Sequence, residues 1–226
     1  MSERFQRLIT FMHRYRTSQL LAAFVLFWAP VIVFSKLAGE IIEREPIALD
    51  SLILNGIHAL ASPALDLVFL WFTTAGNVEF IVPITVLIIA FLLYKKQRRN
   101  ALIVAFGVGG AAAANLILKE LFHRDRPAFW QSLITETGYS FPSGHAMISA
   151  ALIACLIGLL WKTKWRIPSI VIGGGIVVMI GVSRLYMGVH YPTDVVAGWS
   201  AGLIWALVVI AIVRGYASRL KNWLKK

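Results

Sequence analysis

The sequence predicts an all-α fold, a polytopic membrane protein in which six transmembrane helices form one bundle. The first observation is composition: 58% of the 226 residues are hydrophobic and 15% are charged, whereas soluble domains carry about 25% charged residues. The second is that apolar residues form long runs, some near or above the roughly 18 residues that mark a transmembrane helix. The third is that basic residues collect in alternate connections between these runs.

Residues 1–18 precede the first apolar run. Apolar side chains recur there on one helical face, with arginines between them. This pattern predicts an interfacial helix on an anionic membrane surface, with a polar tail as the alternative. Six apolar runs follow and predict the transmembrane spans. Their boundaries are residues 19–38, 77–95, 100–121, 144–161, 168–186 and 194–214.

Residues 40–76 separate the first two spans and have a mixed pattern. Ile53, Ile57 and Leu60 recur at helical spacing, whereas the stretch from Leu67 is wholly apolar. We expect an extracytoplasmic or interfacial segment packed against the bundle, which could serve as a lid or a lipid entry. A re-entrant piece and an earlier start of the second span are the alternatives. No linker or repeat divides the chain, so residues 1–226 form one domain.

Four basic clusters determine the predicted orientation. They lie in residues 4–16, 95–99, 162–166 and 219–226. With six spans all four share one side, which is the cytoplasm by the positive-inside rule. We therefore expect a multi-pass protein of a bacterial plasma membrane with both termini cytoplasmic. Because this topology explains the net charge of +11, no nucleic-acid partner is expected.

Small residues are concentrated in the third and fifth spans. In lipid, such stripes let helices approach closely, so they predict tight packing rather than a ligand site. The residues are Gly107, Gly109, Gly110, Ala111 to Ala114, Gly173, Gly174, Gly175 and Gly181.

The first polar segment begins at the predicted outer end of the third span. Lys119 lies one helical turn after Asn115, and Arg126 follows directly before a proline. A lysine at a membrane edge commonly extends toward the headgroups. An arginine nearby adds a planar fork of donors that suits phosphate oxygens, so we predict that both cations bind phosphate. We interpret His123 and Arg124 as surface contacts with lipid phosphates.

The second polar segment, Pro142-Ser143-Gly144-His145, directly precedes the fourth span. Proline and Ser-Gly predict a turn that opens a helix, where free backbone N–H groups and the positive dipole end favour anions. Ser143 could cap the helix and also donate to a phosphate, while Gly144 permits close approach. His145 would then lie beside the anion. The alternative is a plain helix cap followed by an interfacial histidine.

The third polar segment contains Ser183-Arg184, His190 and Asp194. Asp194 is near enough in sequence to accept a hydrogen bond from one ring nitrogen of His190, which would fix the tautomer and raise the basicity of the other nitrogen. The alternative is that His190 is an interfacial histidine and Asp194 a helix-start aspartate, with no shared role. A metal site is disfavoured because the cations Lys119, Arg126 and Arg184 would repel a divalent ion.

These segments contain three motifs in order: K-x6-R-P from Lys119, P-S-G-H from Pro142 and S-R-x5-H-x3-D from Ser183. The sequence thereby resembles the type 2 phosphatidic acid phosphatase superfamily, whose tripartite signature it matches without departure. Each motif alone is weak, but three in order on one predicted membrane face are highly specific.

The resemblance implies a reaction that requires no metal and no organic cofactor. His190 would attack phosphorus and form a phosphohistidine, with Asp194 orienting it. His145 would protonate the leaving oxygen and then activate water. The residues implied to hold the phosphate oxygens are Lys119, Arg126, Ser143, Gly144 and Arg184.

The expected function is therefore hydrolysis of a membrane lipid phosphate at the extracytoplasmic rim. The expected substrates are phosphatidylglycerophosphate and undecaprenyl pyrophosphate, with phosphatidic acid as a further candidate. A lipid phosphotransferase would share the first half-reaction and is the main alternative. A non-enzymatic transporter or lipid-binding protein would place polar residues deep in several spans. Soluble vanadate-dependent haloperoxidases have a similar pocket but lack transmembrane spans. The oligomeric state is left open.

Overall fold

The computed structural model describes residues 17–43 and 48–223, and this part of the chain contains eight α-helices. The predicted interfacial helix over residues 1–18 lies almost wholly outside the described residues. The helices are α1 (Thr17–Ile42), α2 (Ala48–His58), α3 (Pro63–Ala75), α4 (Val78–Tyr94), α5 (Arg98–Phe122), α6 (Gly144–Leu160), α7 (Arg166–Tyr186) and α8 (Pro192–Trp223).

Each of the six predicted spans corresponds to one helix. The spans match α1, α4, α5, α6, α7 and α8. The mixed segment 40–76 contains the end of α1, followed by α2 and α3. Leu54 of α2 is fully buried in a cluster with Ala146 of α6 and Val195 of α8. The segment therefore packs against the bundle.

The number of membrane crossings is confirmed only in part. Among the described residues, α1, α5, α7 and α8 are each long and apolar enough to cross a membrane. Helices α3 and α4 qualify only together and are bent by 47° at their junction. Helix α6 has 17 residues and measures about 25 Å, short of the roughly 30 Å of a hydrocarbon core. The structure thus supports four crossings, or five with the bent pair.

The three polar segments meet at one end of the bundle. Helices α5 and α7 end there, and α6 and α8 begin there, so the antiparallel order brings the segments together. The backbone N–H of Ser143 donates to the carbonyl of Asp194 at 3.0 Å, which joins the starts of α6 and α8. The basic connections 95–99 and 162–166 consequently lie at the opposite end.

Helix α6 is the centre of the bundle and packs against α5, α7 and α8. Several predicted small residues make these contacts. An added Cβ at Gly107 would lie 2.3 Å from Cys155 Sγ, whereas Gly109 has nothing within 4 Å. The tightest backbone approach is at Gly202 of α8, where a Cβ would lie 2.2 Å from the carbonyl oxygen of Met147. The sequence analysis did not single out Gly202.

Gly202→Ala should destabilise the bundle, because the methyl group would meet the backbone of α6, which a side-chain rotation cannot relieve. We expect a loss of about 1–3 kcal/mol in the free energy of unfolding, measured as a lower midpoint of thermal unfolding in detergent. Gly109→Ala is the matched control, since it also lies within a helix but has open space. A midpoint for Gly202→Ala at or above that of the control would contradict the close approach.

Candidate active site

The structure brings all eight sequence-predicted site residues to the same end of the bundle. Four of them are buried: Ser143, Arg184, His190 and Asp194. The other four are half-buried: Lys119, Arg126, Gly144 and His145. The site thus has a buried floor and a partly open rim.

His190 is held from both sides of its ring. Its Nδ1 lies 3.3 Å from Asp194 Oδ2, and its Nε2 lies 3.3 Å from Arg126 Nη1. A guanidinium group can only donate hydrogen bonds, so Nε2 is the acceptor and carries the lone pair. Nδ1 then carries the hydrogen and donates it to Asp194. The sequence analysis expected a hydrogen bond from one ring nitrogen to Asp194 without saying which, and the structure places Nδ1 there.

The surroundings of His190 also disfavour its protonation. Burial lowers the pKa of His190 well below its ordinary value, and the positive charges of Arg184, Arg126 and Lys119 lower it further. The imidazole is therefore neutral at neutral pH. A neutral ring with a directed Nε2 lone pair is a nucleophile rather than an acid.

The carboxylate of Asp194 is fixed through both oxygens. Oδ2 accepts the backbone N–H of Tyr191 at 2.8 Å, in addition to facing His190. Oδ1 accepts from Arg124 Nη1 at 2.5 Å. The interpretation of Arg124 as a surface contact with lipid phosphates is therefore wrong. Its guanidinium points inward, because the chain turns after α5 and a buried carboxylate offers it a partner.

Arg124 also contacts α2. Its Nη2 donates to Asp50 Oδ2 at 2.8 Å, and the same carboxylate accepts from the backbone N–H and the hydroxyl of Thr193. Stacking of Arg124 over the ring of Tyr191, at 4.0 Å, completes its surroundings. The sequence analysis gave Asp50 no role in the site.

Arg126 uses all of its donor groups. Nε donates to the carbonyl of Gly138, while Nη2 donates to the carbonyl of Thr137 and faces Glu136. Nη1 donates to the carbonyl of Val189 as well as to His190. The guanidinium is thus held rigidly in a cage of loop carbonyls.

Arg184 lies opposite Arg126 and is fully buried. Its Nη1 donates to Thr73 Oγ1 of α3 at 2.5 Å, and its Nη2 forms an ion pair with Glu136. Glu136 therefore lies between the two guanidinium groups. Its own burial opposes the charge, but Arg184 and Arg126 together hold the pKa of the Glu136 carboxyl below its ordinary value. The carboxylate of Glu136 thus neutralises part of the positive charge of the two guanidinium groups.

Ser143 and Gly144 form the start of α6 as predicted, with one difference. Ser143 occupies the N-cap position, but its side chain makes no capping hydrogen bond. Its Oγ is buried, and among the described residues it has no hydrogen-bond partner. At Gly144 an added Cβ would lie 2.9 Å from Asn115 Oδ1, so a larger residue there would require the Asn115 side chain to move. The Ser143 hydroxyl thus remains available to a ligand.

His145 and Lys119 complete the predicted set. Nε2 of His145 lies 2.7 Å from Asn77 Oδ1 at the start of α4, and since an amide oxygen only accepts, Nε2 carries the hydrogen. Lys119 is close enough to Arg126 and Arg184 to interact with both electrostatically. The predicted residues therefore surround one small polar volume.

Sequence reasoning missed several residues of this site. They are Asp50, Thr73, Asn77, Arg124 and Glu136. Two of them carried a usable signal: Arg124 lies inside the K-x6-R-P motif, and Glu136 is the only acidic residue between Asp125 and Asp194. The others come from the segments before α5, where the sequence shows no motif. Within the described residues, no group of three or more His, Cys, Asp and Glu side chains is arranged to hold a metal ion.

Fold and site together define a class: a multi-pass membrane protein with a cluster of cationic side chains around a buried histidine at one end of the bundle. Comparison with known proteins gives the family. Residues 100–217 match the model of the PAP2 superfamily. The chain is 30% identical to phosphatidylglycerophosphatase B of Bacillus subtilis (strain 168) over 200 residues, which covers 86% of this chain and 96% of that protein.

Two further comparisons agree. An undecaprenyl-diphosphatase of Sulfolobus acidocaldarius is 32% identical over 126 residues, covering 54% of this chain and 57% of that protein. The crystal structure of a transmembrane PAP2 type phosphatidylglycerolphosphate phosphatase from Bacillus subtilis has a TM-score of 0.75 at 30% identity, covering 86% of this chain and 97% of that chain. The chain belongs to the PAP2 superfamily, and it is a membrane phosphatase.

Proposed function

We propose that this protein is a metal-independent lipid phosphatase that hydrolyses a phosphomonoester or pyrophosphate of a membrane lipid through a phosphohistidine. One observation carries the proposal: the neutral His190 directs its Nε2 lone pair toward the cations, while Asp194 holds Nδ1. That arrangement supplies a nucleophile beside a place for a phosphoryl group, the two requirements of this reaction.

In the first step, Nε2 of His190 attacks phosphorus and the bond from phosphorus to the leaving oxygen breaks. His145 takes up a proton when the anionic substrate binds and gives that proton to the leaving oxygen, which returns His145 to its neutral form. In the second step, water attacks phosphorus, His145 accepts a proton from the water, and the P–N bond breaks to release inorganic phosphate. Arg126 exchanges its contact with His190 for a phosphate oxygen as the substrate binds.

Five groups would stabilise the phosphoryl oxygens while charge develops on them. These are the side chains of Lys119, Arg126, Ser143 and Arg184 and the backbone N–H of Gly144. The unpartnered Oγ of Ser143 and Nε of Arg184 support this assignment, because buried donors without a partner are costly unless a ligand pairs with them.

The proposed substrates are phosphatidylglycerophosphate and undecaprenyl pyrophosphate, with phosphatidic acid as a further candidate. The names of the relatives from Bacillus and Sulfolobus support the first two. We further propose six crossings in a bacterial plasma membrane, with α3 and α4 as one bent crossing and α6 as a short one. The basic connections at the end away from the site support cytoplasmic termini and an extracytoplasmic site.

Phosphate release by the detergent-purified protein in excess EDTA tests the proposal. The two lipids would be offered in parallel, and the ratio of their rates would rank them. We expect release from at least one lipid in EDTA, and inhibition by vanadate, which adopts the pentacoordinate geometry of phosphoryl transfer. Loss of activity in EDTA that Mg²⁺ or Zn²⁺ restores would replace the histidine mechanism with a metal-dependent one.

A further inference from the structure

Arg124 forms ion pairs with two buried carboxylates that lie far apart in the sequence. Asp50 of α2 is 2% exposed and Asp194 of α8 is fully buried. The two arms of one guanidinium reach them, at 2.8 Å and 2.5 Å respectively. Nothing in the three sequence motifs accounts for this bridge, since Arg124 occupies a variable position of the first motif and Asp50 lies outside all of them.

The bridge controls the orientation of Asp194. Arg124 takes Oδ1, which leaves Oδ2 for the Nδ1 hydrogen of His190 and the backbone N–H of Tyr191. A carboxylate held through both oxygens cannot rotate away from the imidazole. The positive charge of Arg124 lies between the two negative charges and favours the ionised form of Asp194 against the effect of burial.

We propose that Arg124 is a positioning residue that keeps Asp194 ionised and aimed at His190, with Asp50 holding Arg124 in place. The proposal rests on the proposed function, in which Asp194 orients the nucleophile. Through Asp50, helix α2, which lies outside the signature motifs, then helps to position the catalytic residues. Arg124 itself acts through Asp194 and not on the substrate.

The charges around Asp194 come from several elements. Arg124 and His190 touch it directly, from the connections before α6 and α8. Asp50 faces it from α2 across the guanidinium, while Lys119 of α5 and Arg126 interact with it at longer range. Tyr191 also interacts electrostatically with Asp194, and Asp125 faces Tyr191. Of the lysine and arginine side chains in the described part of the chain, only Arg124 forms an ion pair with Asp194, at 2.5 Å.

Removing the positive charge should therefore push a proton onto the carboxylates. In Arg124→Gln, Asp50 and Asp194 would be two like charges without a counter-ion, and such pairs raise the pKa of one member. A protonated Asp194 would donate to Nδ1 of His190 and drive the ring hydrogen to Nε2, which removes the nucleophilic lone pair. In the plot of kcat/KM against pH, the acid limb, where activity falls as the pH decreases, should therefore move to higher pH.

The experiment compares the pH dependence of kcat/KM for wild type, Arg124→Gln and Arg124→Lys. We expect the acid limb to move upward by about one to three pH units in the glutamine variant and to stay close to the wild-type position in the lysine variant, which keeps the charge. Arg99→Gln, an exposed arginine at the other end of the bundle, is the control. An unmoved limb in Arg124→Gln, or an equal shift in both variants, overturns the proposal.

Asp50→Asn supplies a second, opposite prediction. Removing this negative charge should move the acid limb to a lower pH than in the wild type. In the double variant it should partly reverse the shift caused by Arg124→Gln. A merely structural role for the two residues would not move the acid limb in opposite directions. An upward shift in Asp50→Asn overturns the proposal even if the glutamine variant fails to fold. Absence of phosphate release by the wild type would count against the proposed function instead.

Discussion

His190→Ala is expected to abolish phosphate release from every lipid substrate. Removal of the imidazole removes the only nucleophile in the proposed mechanism, so the rate should fall by at least about 10³–10⁴-fold. The measurement is inorganic phosphate released in EDTA, together with labelling of the protein from a ³²P-labelled lipid phosphate, quenched in alkaline detergent because acid cleaves the P–N bond of phosphohistidine. The wild type should retain an acid-labile label on the protein, and the variant should retain none.

His123→Asn is the matched control for this prediction. His123 is exposed and ends α5 in the left-handed region, with φ 48°, a conformation that asparagine tolerates. The control should release phosphate at nearly the wild-type rate. Substantial turnover by His190→Ala, with unchanged elution from a sizing column, would remove His190 from the role of nucleophile.

Asp194→Asn is expected to reduce turnover by roughly 10³–10⁴-fold while substrate binding changes little. An asparagine can still accept from Arg124 through its oxygen, but it then presents its NH₂ group to Nδ1 of His190. Nδ1 must become the acceptor, so the hydrogen moves to Nε2 and the attacking lone pair is lost. The loss should appear in kcat, with KM close to that of the wild type.

Asp125→Asn controls for the loss of one carboxylate. Asp125 is exposed and lies in the same connection as Arg124 and Arg126, yet its side chain has no place in the proposed mechanism. Its kcat should remain near the wild-type value. If Asp194→Asn raises KM and leaves kcat unchanged, Asp194 contributes to binding and not to the orientation of His190.

The positions of the helices could be predicted because long apolar runs leave few alternatives in a membrane. The bend between α3 and α4 could not be predicted from the sequence. It occurs at Gly76 and Asn77, where an added Cβ on Gly76 would lie 2.8 Å from both His145 and Ile180. This is a tertiary contact between distant segments. Local sequence shows a glycine there but not what packs against it.

The same limit applies to the site. The motif residues converge because their spacing places them at connected helix ends, which sequence can reveal. The partners of Asp194 depend on the path of the connection between α5 and α6 and on where α2 docks. Arg124 looked like a surface cation because its neighbours in sequence are polar, whereas its partners Asp50 and Asp194 are supplied by two other helices.

The buried donors on Ser143 and Arg184 that have no partner among the described residues have a thermodynamic consequence. An unpaired buried polar group costs about 1–3 kcal/mol, and an anion that pairs with both would recover that cost only in the folded protein. Folding and anion recognition are therefore linked equilibria: at a hundred times its Kd, a ligand adds about 2.7 kcal/mol of stability. The midpoint of thermal unfolding should thus rise with every headgroup that the protein binds, whether or not that headgroup is cleaved.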